Sequence, residues 1–293
     1  MAIFVTGDTH GSEPCGYVSV DGFFKRLNTK NFPEQKNLTK EDFVVICGDF
    51  GGVWNCFGES KSEKFALDWL ESKNFTTLFV PGNHENYDRL LGLNPPELID
   101  SWLYNKCTEA DKNMIVSGYP RKAWHNGMVR ELRPSVLMLE RGFVFEVNDK
   151  KCFAFGGAES HDISGGIIRP EELNSNKEMD KVYKELKKNE VSFRVNHISW
   201  WEQEMPSQME MEMGWAMLED EKYEVDFIFT HDAPSSVYPM IYRFYKTNEL
   251  NRYLEKVKEK VKYSHWFFGH HHFNHTFPGG KDHALYEQII QIA

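Results

Sequence analysis

The chain has 293 residues, 41% of them hydrophobic and 14% aromatic, which is enough to fill a sizeable core in one large domain or two small ones. Its 44 acidic and 34 basic residues leave a formal charge of −10, which repels a phosphate backbone and argues against extended nucleic-acid binding while leaving room for a small phosphorylated substrate steered by local cations. The five cysteines, Cys15, Cys47, Cys56, Cys107 and Cys152, never form C-x-x-C and are expected to be free thiols, neither a disulfide framework nor a thiolate zinc site.

The first predicted strand, "AIFVT" at 2 to 6, stops at a polar turn carrying Asp8 and His10. That turn ends the first apolar run too early for a signal peptide, and no stretch approaches the roughly 18 apolar residues of a spanning helix. The expectation is a cytoplasmic protein with no membrane partner. Further strands are predicted at "FVVIC" 43 to 47, "TTLFV" 76 to 80, "DFIFT" 226 to 230 and "HWFF" 265 to 268. Between the second and third, Ser60-x-x-Glu63 reads as a capping box opening a helix with Phe65, Ala66, Trp69 and Leu70 on one face. From about Val116 to Phe155, "GMVREL", "SVLMLE", "GFVFEV" and "KCFAFGG" read as adjacent strands of a second sheet. From Glu171 to Tyr223 the chain is charged and helical, with Met209, Met213 and Met217 as a packing stripe. Strand, loop, helix, strand is the grammar of an α/β protein, whose sites lie at the carboxyl ends of its strands. No repeat or linker breaks it, so residues 1–293 are expected to form a single domain, with a helical, loop-rich insertion around 156–223 capping the site.

Each of the five strongest strand candidates ends in a metal-capable side chain. Asp8 and His10 follow the first, Asp49 the second, Asn83 and His84 the third, His231 the fourth, and His270, His271 and His272 the fifth. Singly these have ordinary explanations as turn formers or satisfied histidines. Jointly, at one end of one sheet, they point to a metal centre. Carboxylate, carboxamide and imidazole donors without thiolate suit borderline divalent metals and are too rich in nitrogen for calcium or magnesium alone. Two aspartates, one asparagine oxygen and four imidazoles, seven donors, are too many for one tetrahedral ion but fit two ions sharing a carboxylate. Such a pair, about 3.5 to 4 Å apart, clamps an in-line displacement at phosphorus and generates a hydroxide nucleophile near neutral pH.

In this order "GDTHG", "GDFGG", "GNHE", a lone histidine and "GHHH" resemble the calcineurin-like metallophosphoesterase superfamily, over residues 7 to 272. The resemblance implies an α/β four-layer sandwich, two mixed β-sheets flanked by helices, with a dinuclear metal centre. Carried over by motif, Asp8, His10 and His272 hold one ion, Asn83, His231 and His270 the other, and Asp49 bridges them. Mn2+ leads as the metal, with Fe, Zn, Ni or Mg as alternatives. His84 falls on the family's non-ligand histidine, which stabilises the transferring phosphoryl oxygen or protonates the leaving group. His271 is expected to point away, behind the ligands or into solvent.

The second motif departs from the protein phosphatases and dinucleoside tetraphosphatases of this superfamily, which resemble G-D-x-V-D/N-R-G; here it reads Gly48-Asp49-Phe50-Gly51-Gly52. The arginine that would grip phosphate and the acid that would orient His84 are missing, which speaks against protein-phosphatase activity despite Glu85. A replacement cation is sought in "GGAESHDISGGIIRP", 156 to 170, where four glycines bracket Glu159, Ser160, His161 and Asp162. Arg169 is the candidate for bidentate phosphate binding, Arg141 its reserve, and His161 with Asp162 would shape the pocket rim. The leading function is hydrolysis of a phosphomonoester or phosphodiester of a small phosphorylated or nucleotide substrate. The alternatives are a nuclease or end-processing enzyme, which a basic groove would favour, and a non-catalytic binding scaffold, which eroded ligands would favour.

Overall fold

The computed structural model describes residues 1–11, 22–106 and 118–293; Cys15, Cys107 and Val116 lie outside the described residues. Two large mixed sheets stack face to face with helices outside. The first has seven strands in the order Ile290–Gln291, Ile3–Thr6, Phe43–Cys47, Thr76–Val80, Val136–Leu139, Gly127–Arg133 and Arg121–Trp124. Its four central strands are parallel, with Val5 beside Val45 and Val45 beside Leu78, and the edges are antiparallel. The second has six strands in the order His275–Thr276, Asp282–Ala284, His265–Phe268, Phe227–Thr230, Lys150–Phe155 and Val144–Val147. There Phe227–Thr230 runs parallel to both its neighbours.

The strands are continuous apolar runs because both faces of each sheet are covered. Val5, Val45 and Leu78 point inward and meet Phe145, Ala154, Phe229 and Phe267 of the facing sheet. Alternate residues point outward: Phe4, Val44, Ile46 and Phe79 pack on Ala66, Leu67 and Leu70 of helix Lys61–Glu71. On the far side, Phe153, Ile228 and Trp266 pack on helices Gln208–Asp220 and Glu249–Lys260 through Met211, Leu218, Leu254 and Val257. Helix Lys61–Glu71 opens on the expected capping box, in which Ser60 Oγ accepts from Glu63 N and Glu63 Oε2 accepts from Ser60 N. Its buried face includes Leu67, whereas Phe65 is turned outward and stacks on Phe24.

Two sequence expectations are corrected. The four runs between 127 and 155 do not form one sheet: Gly127–Arg133 and Val136–Leu139 extend the first sheet, and Val144–Val147 with Lys150–Phe155 open the second. The crossing falls at Gly142, whose φ of +85° is open to glycine and whose N–H bonds Ala154 O. Short-range alternation cannot reveal it, because the strand Val136–Leu139 finds its parallel partner in Thr76–Val80. The methionine stripe is also rotated: Met211, Gly214 and Leu218 face the core, Met213 and Met217 are half-buried, and Met209 is exposed.

The stretch 156–223 is mixed rather than purely helical. Ile167–Ile168 pairs in parallel with Arg194–Val195, and helix Asn176–Lys188 places Met179 against Ile99 and Trp102 of helix Glu97–Tyr104. Trp102 Nε1 donates to Asp180 Oδ1 at 3.0 Å. Among the described residues, no helix is long and apolar enough to cross a membrane.

Candidate metal centre

The parallel strands of both sheets end at a common point. Asp8, two residues past Thr6, is buried; its Oδ1 accepts from His270 N at 3.0 Å, while Oδ2 is buried without a partner. Asp49, two residues past Cys47, accepts His84 N on Oδ1 at 2.8 Å. Asn83 directs Oδ1 to His231 Nε2 at 3.1 Å, and Asp49 Oδ1 lies 3.2 Å from the same nitrogen. His231 follows Thr230, with Nδ1 at 2.9 Å from Cys47 O and 3.3 Å from Asp8 Oδ1. His270 packs edge-on against His231, ring centroids 5.0 Å apart. His10 and His272 bring their Nε2 atoms to 3.0 Å, and His10 Nδ1 lies 3.9 Å from Asp49 Oδ2.

Among the described residues, two groups of donors thus have ligand atoms within 4.8 Å of one another: His10, Asp49 and His272, and Asp8, Asp49 and His231. Asp49 belongs to both. Asp8 groups with His231, where the resemblance puts it with His10 and His272. All seven motif positions are brought into this one cluster, directly or through a shared neighbour.

The backbone is bent to achieve this. His10, Asp49, His270 and His272 have φ values of +47°, +43°, +65° and +53°, a left-handed conformation that costs non-glycine residues of order 1 to 3 kcal/mol each. The glycines beside them clear the space: a Cβ on Gly48 would lie 2.0 Å from His231 Nδ1, and one on Gly82 would lie 2.2 Å from Asp49 Oδ1. The turn after Asp49 is tied to Glu85, whose carboxylate accepts Phe50 N at 2.7 Å and Gly51 N at 3.3 Å. Burial pushes Glu85 up to about 8, with Asp49 reinforcing it and the two N–H bonds opposing it.

The donor chemistry fits divalent cations. If Nδ1–H of His231 bonds to Cys47 O, its Nε2 lone pair meets Asp49 Oδ1 and Asn83 Oδ1 with no positive charge between them. A proton fills that role in the metal-free arrangement: burial alone would depress His231, but Asp49 and Asp8 raise it to about 10. A metal ion would replace that proton and would also satisfy the orphaned Asp8 Oδ2. Burial lowers His270 to about 3 and lowers His272, keeping both neutral as ligation requires.

His84 lies at the edge of the cluster, its ring 5.3 Å from that of His10 and roughly parallel to the Trp54 indole at 6.3 Å. Burial lowers it to about 4; Asp49 opposes this, and the charges of His10 and Arg194 reinforce it. His271 does not face solvent: its ring is buried, with Nε2 3.5 Å from Asp232 Oδ1 and Nδ1 3.0 Å from Tyr242 Oη. Asp232 is held far below the ordinary carboxylate range; burial opposes this, but His271, His270 and Ala233 N–H outweigh it.

Of the substrate-binding candidates, His161 packs edge-on against His270 at 5.3 Å, and Asp162 Oδ2 accepts from Arg194 Nη2 at 2.6 Å. Arg169 is not brought to the cluster: its guanidinium lies over Trp200 at 5.1 Å and beside Glu171 at 3.7 Å and Glu172 at 3.9 Å. Arg141 is committed to structure, donating to Gly156 O, Tyr87 Oη, Gln203 O and Glu204 O. Sequence reasoning passed over Arg194 and Glu204. Glu204 fastens the loop by accepting Ser160 N at 2.7 Å and Ser160 Oγ at 2.8 Å. Neither carries a local motif, because their partners lie 32 and 44 residues away.

The family model for calcineurin-like phosphoesterases matches residues 1–274. Among solved structures the chain is similar to a phosphopantetheinyl hydrolase (PptH) from Mycobacterium tuberculosis, at 16% identity and a TM-score of 0.37, covering 97% of this chain and 89% of that one. No curated protein matches it.

Proposed function

From the premise that the chain belongs to the calcineurin-like phosphoesterase family, and is a phosphate-ester hydrolase of the metal-dependent kind, we propose that it cleaves a monoester or diester of a small phosphorylated or nucleotide substrate at the strand-end cluster. The observation that carries this is the convergence of Asp8, Asp49, Asn83 and His231 around unsatisfied lone pairs, beside His10, His270 and His272. Asp49 would be the shared ligand; by the family motifs Asp8, His10 and His272 would hold one ion and Asn83, His231 and His270 the other, although Asp8 here lies nearer His231. Two divalent cations, Mn2+ first among them, would supply Lewis acidity and an acidified water nucleophile.

The protein's own groups do the rest. Asp49 Oδ1, accepting His84 N–H, fixes the turn that carries His84. With its imidazole lowered to about 4, His84 is neutral near pH 7, so it is suited to donate a hydrogen bond to a phosphoryl oxygen as negative charge builds there. Of its two family roles we favour this one over proton delivery. Ser160 and His161, against Asn83 and His270, form the rim; of the 156–223 stretch it is this loop that borders the site, while helix Gln208–Asp220 packs on the outer face of the second sheet. The formal net charge of −10 favours a small substrate over a polynucleotide.

The test is metal analysis of the purified chain, followed by a panel of phosphate monoesters, cyclic and linear diesters and nucleotides. The reading expects about two metal ions per chain and turnover that disappears on chelation and returns with Mn2+. Turnover insensitive to chelation, or no turnover on any ester by fully loaded protein, overturns it.

A further inference from the structure

The second motif lacks an arginine, Arg141 is bound into structure, and Arg169 lies over Trp200 between two glutamates. A different guanidinium is held by the loop that borders the cluster. Arg194, in the short strand Arg194–Val195, has a side chain only 9% exposed, and its Nη2 donates to Asp162 Oδ2 at 2.6 Å. Among the described residues this is its only side-chain hydrogen bond, yet none of its nitrogens is both unpartnered and sealed from solvent. The remainder of the donor fork therefore opens to solvent-filled space from an otherwise buried side chain.

Its partner ties it to the loop beside the donor cluster. Asp162 is the third of three consecutive loop residues; the first, Ser160, lies 3.4 Å from Asn83 Nδ2, and the second, His161, packs on His270 at 5.3 Å. The loop therefore runs along the donor cluster before it grips Arg194. His84 is within electrostatic reach of the pair, since both the Arg194 and Asp162 charges act on its imidazole. A buried cation held end-on by one half-exposed carboxylate still has N–H groups spare, and that planar fork matches two phosphoryl oxygens as a lysine cannot.

We propose that Arg194, oriented by Asp162, binds the phosphoryl group of the substrate at the edge of the metal cluster beside His84, standing in for the arginine absent from the second motif. The inference rests on the phosphoesterase reading and adds the residue that holds the substrate. Arg194 touches substrate; Asp162 positions it.

The experiment is calorimetric titration of inorganic phosphate into the Mn2+-loaded full chain, comparing wild type with Arg194→Ala and Arg194→Lys, alongside kinetics on a nitrophenyl phosphate ester. In Arg194→Ala the phosphate Kd and the KM are expected to rise about ten- to a hundredfold, the size of a lost charge-assisted bond pair, with metal content unchanged. Arg194→Lys loses less, and added guanidinium ion restores part of the alanine variant's loss. Wild-type phosphate affinity in both variants overturns the proposal, as does a lower Tm with phosphate binding intact, or metal-loaded wild type that binds no phosphate. Should Arg194→Ala not fold, unaltered Kd and KM in Arg194→Lys overturn the forked contact by themselves. Wild type that binds phosphate through Arg194 but hydrolyses no ester sinks the phosphoesterase reading and leaves this one standing.

Discussion

At the strand ends, each candidate ligand is placed by the backbone that carries it: a parallel strand stops, a glycine clears the space, and a left-handed residue turns a side chain inward. Asp8, Asp49, Asn83, His231 and His270 all lie within three residues of a strand terminus. The 156–204 stretch works otherwise. Ser160 is fixed by Glu204, Asp162 by Arg194 and Glu159 by Asn248, across 44, 32 and 89 residues. The first region is pre-organised by the core and tolerates strained residues because the sheets hold them. The second is pinned by individual polar contacts whose loss moves only what they hold. The difference teaches that the donor cluster is placed by strands and the loop beside it by long-range polar contacts.

The sharpest way to break this comparison is Asp49→Asn, which keeps the shape of the shared ligand and removes its charge. Metal content is expected to fall at both sites together and turnover to drop by about a thousandfold or more. Wild-type metal content with wild-type turnover would show that the strand ends do not hold the metals.

His84 comes next. It lies on the same turn but is expected to coordinate nothing, so His84→Asn should lower kcat by about 10² to 10⁴ with metal content unchanged. Its imidazole, lowered to about 4, is neutral across pH 6 to 8, and bound cations act in the same direction. A hydrogen-bonding role therefore predicts no decline in kcat over that range attributable to His84. A tenfold fall per pH unit that vanishes in His84→Asn would show that the protonated form is the active one.

The smallest effect tests the second region. Burial raises Glu204 to about 7 despite the two bonds from Ser160. Its folded-state value lies above the unfolded one, so its favourable contribution is complete below about pH 4.5 and is lost as pH rises through about 7. Against Glu204→Gln, metal-depleted wild type should lose stability between pH 5 and 8, by about 2 kcal/mol at most. Parallel stability curves for the two proteins would mean that Glu204 is not charged at a cost and that the loop is held by something else.

Much of this molecule was legible before any coordinates. The five apolar runs became strands because branched and aromatic residues covered on both faces can do little else, and Ser60 with Glu63 opened its helix as a capping box must. The seven donors were readable because each belongs to a strand-turn unit a few residues long, and local grammar is what a sequence displays directly. The tertiary structure decided the rest. It split the strands between 127 and 155 over two sheets, since pairing with Thr76–Val80 is a long-range event that alternation does not encode. It turned His271 inward to Asp232 and bound Arg141 to five oxygens. Arg141, Arg169 and Arg194 carry the same charge in the sequence, and only the fold determines that Arg169 lies over a tryptophan between glutamates while Arg194 is buried against Asp162 of the loop that borders the donor cluster.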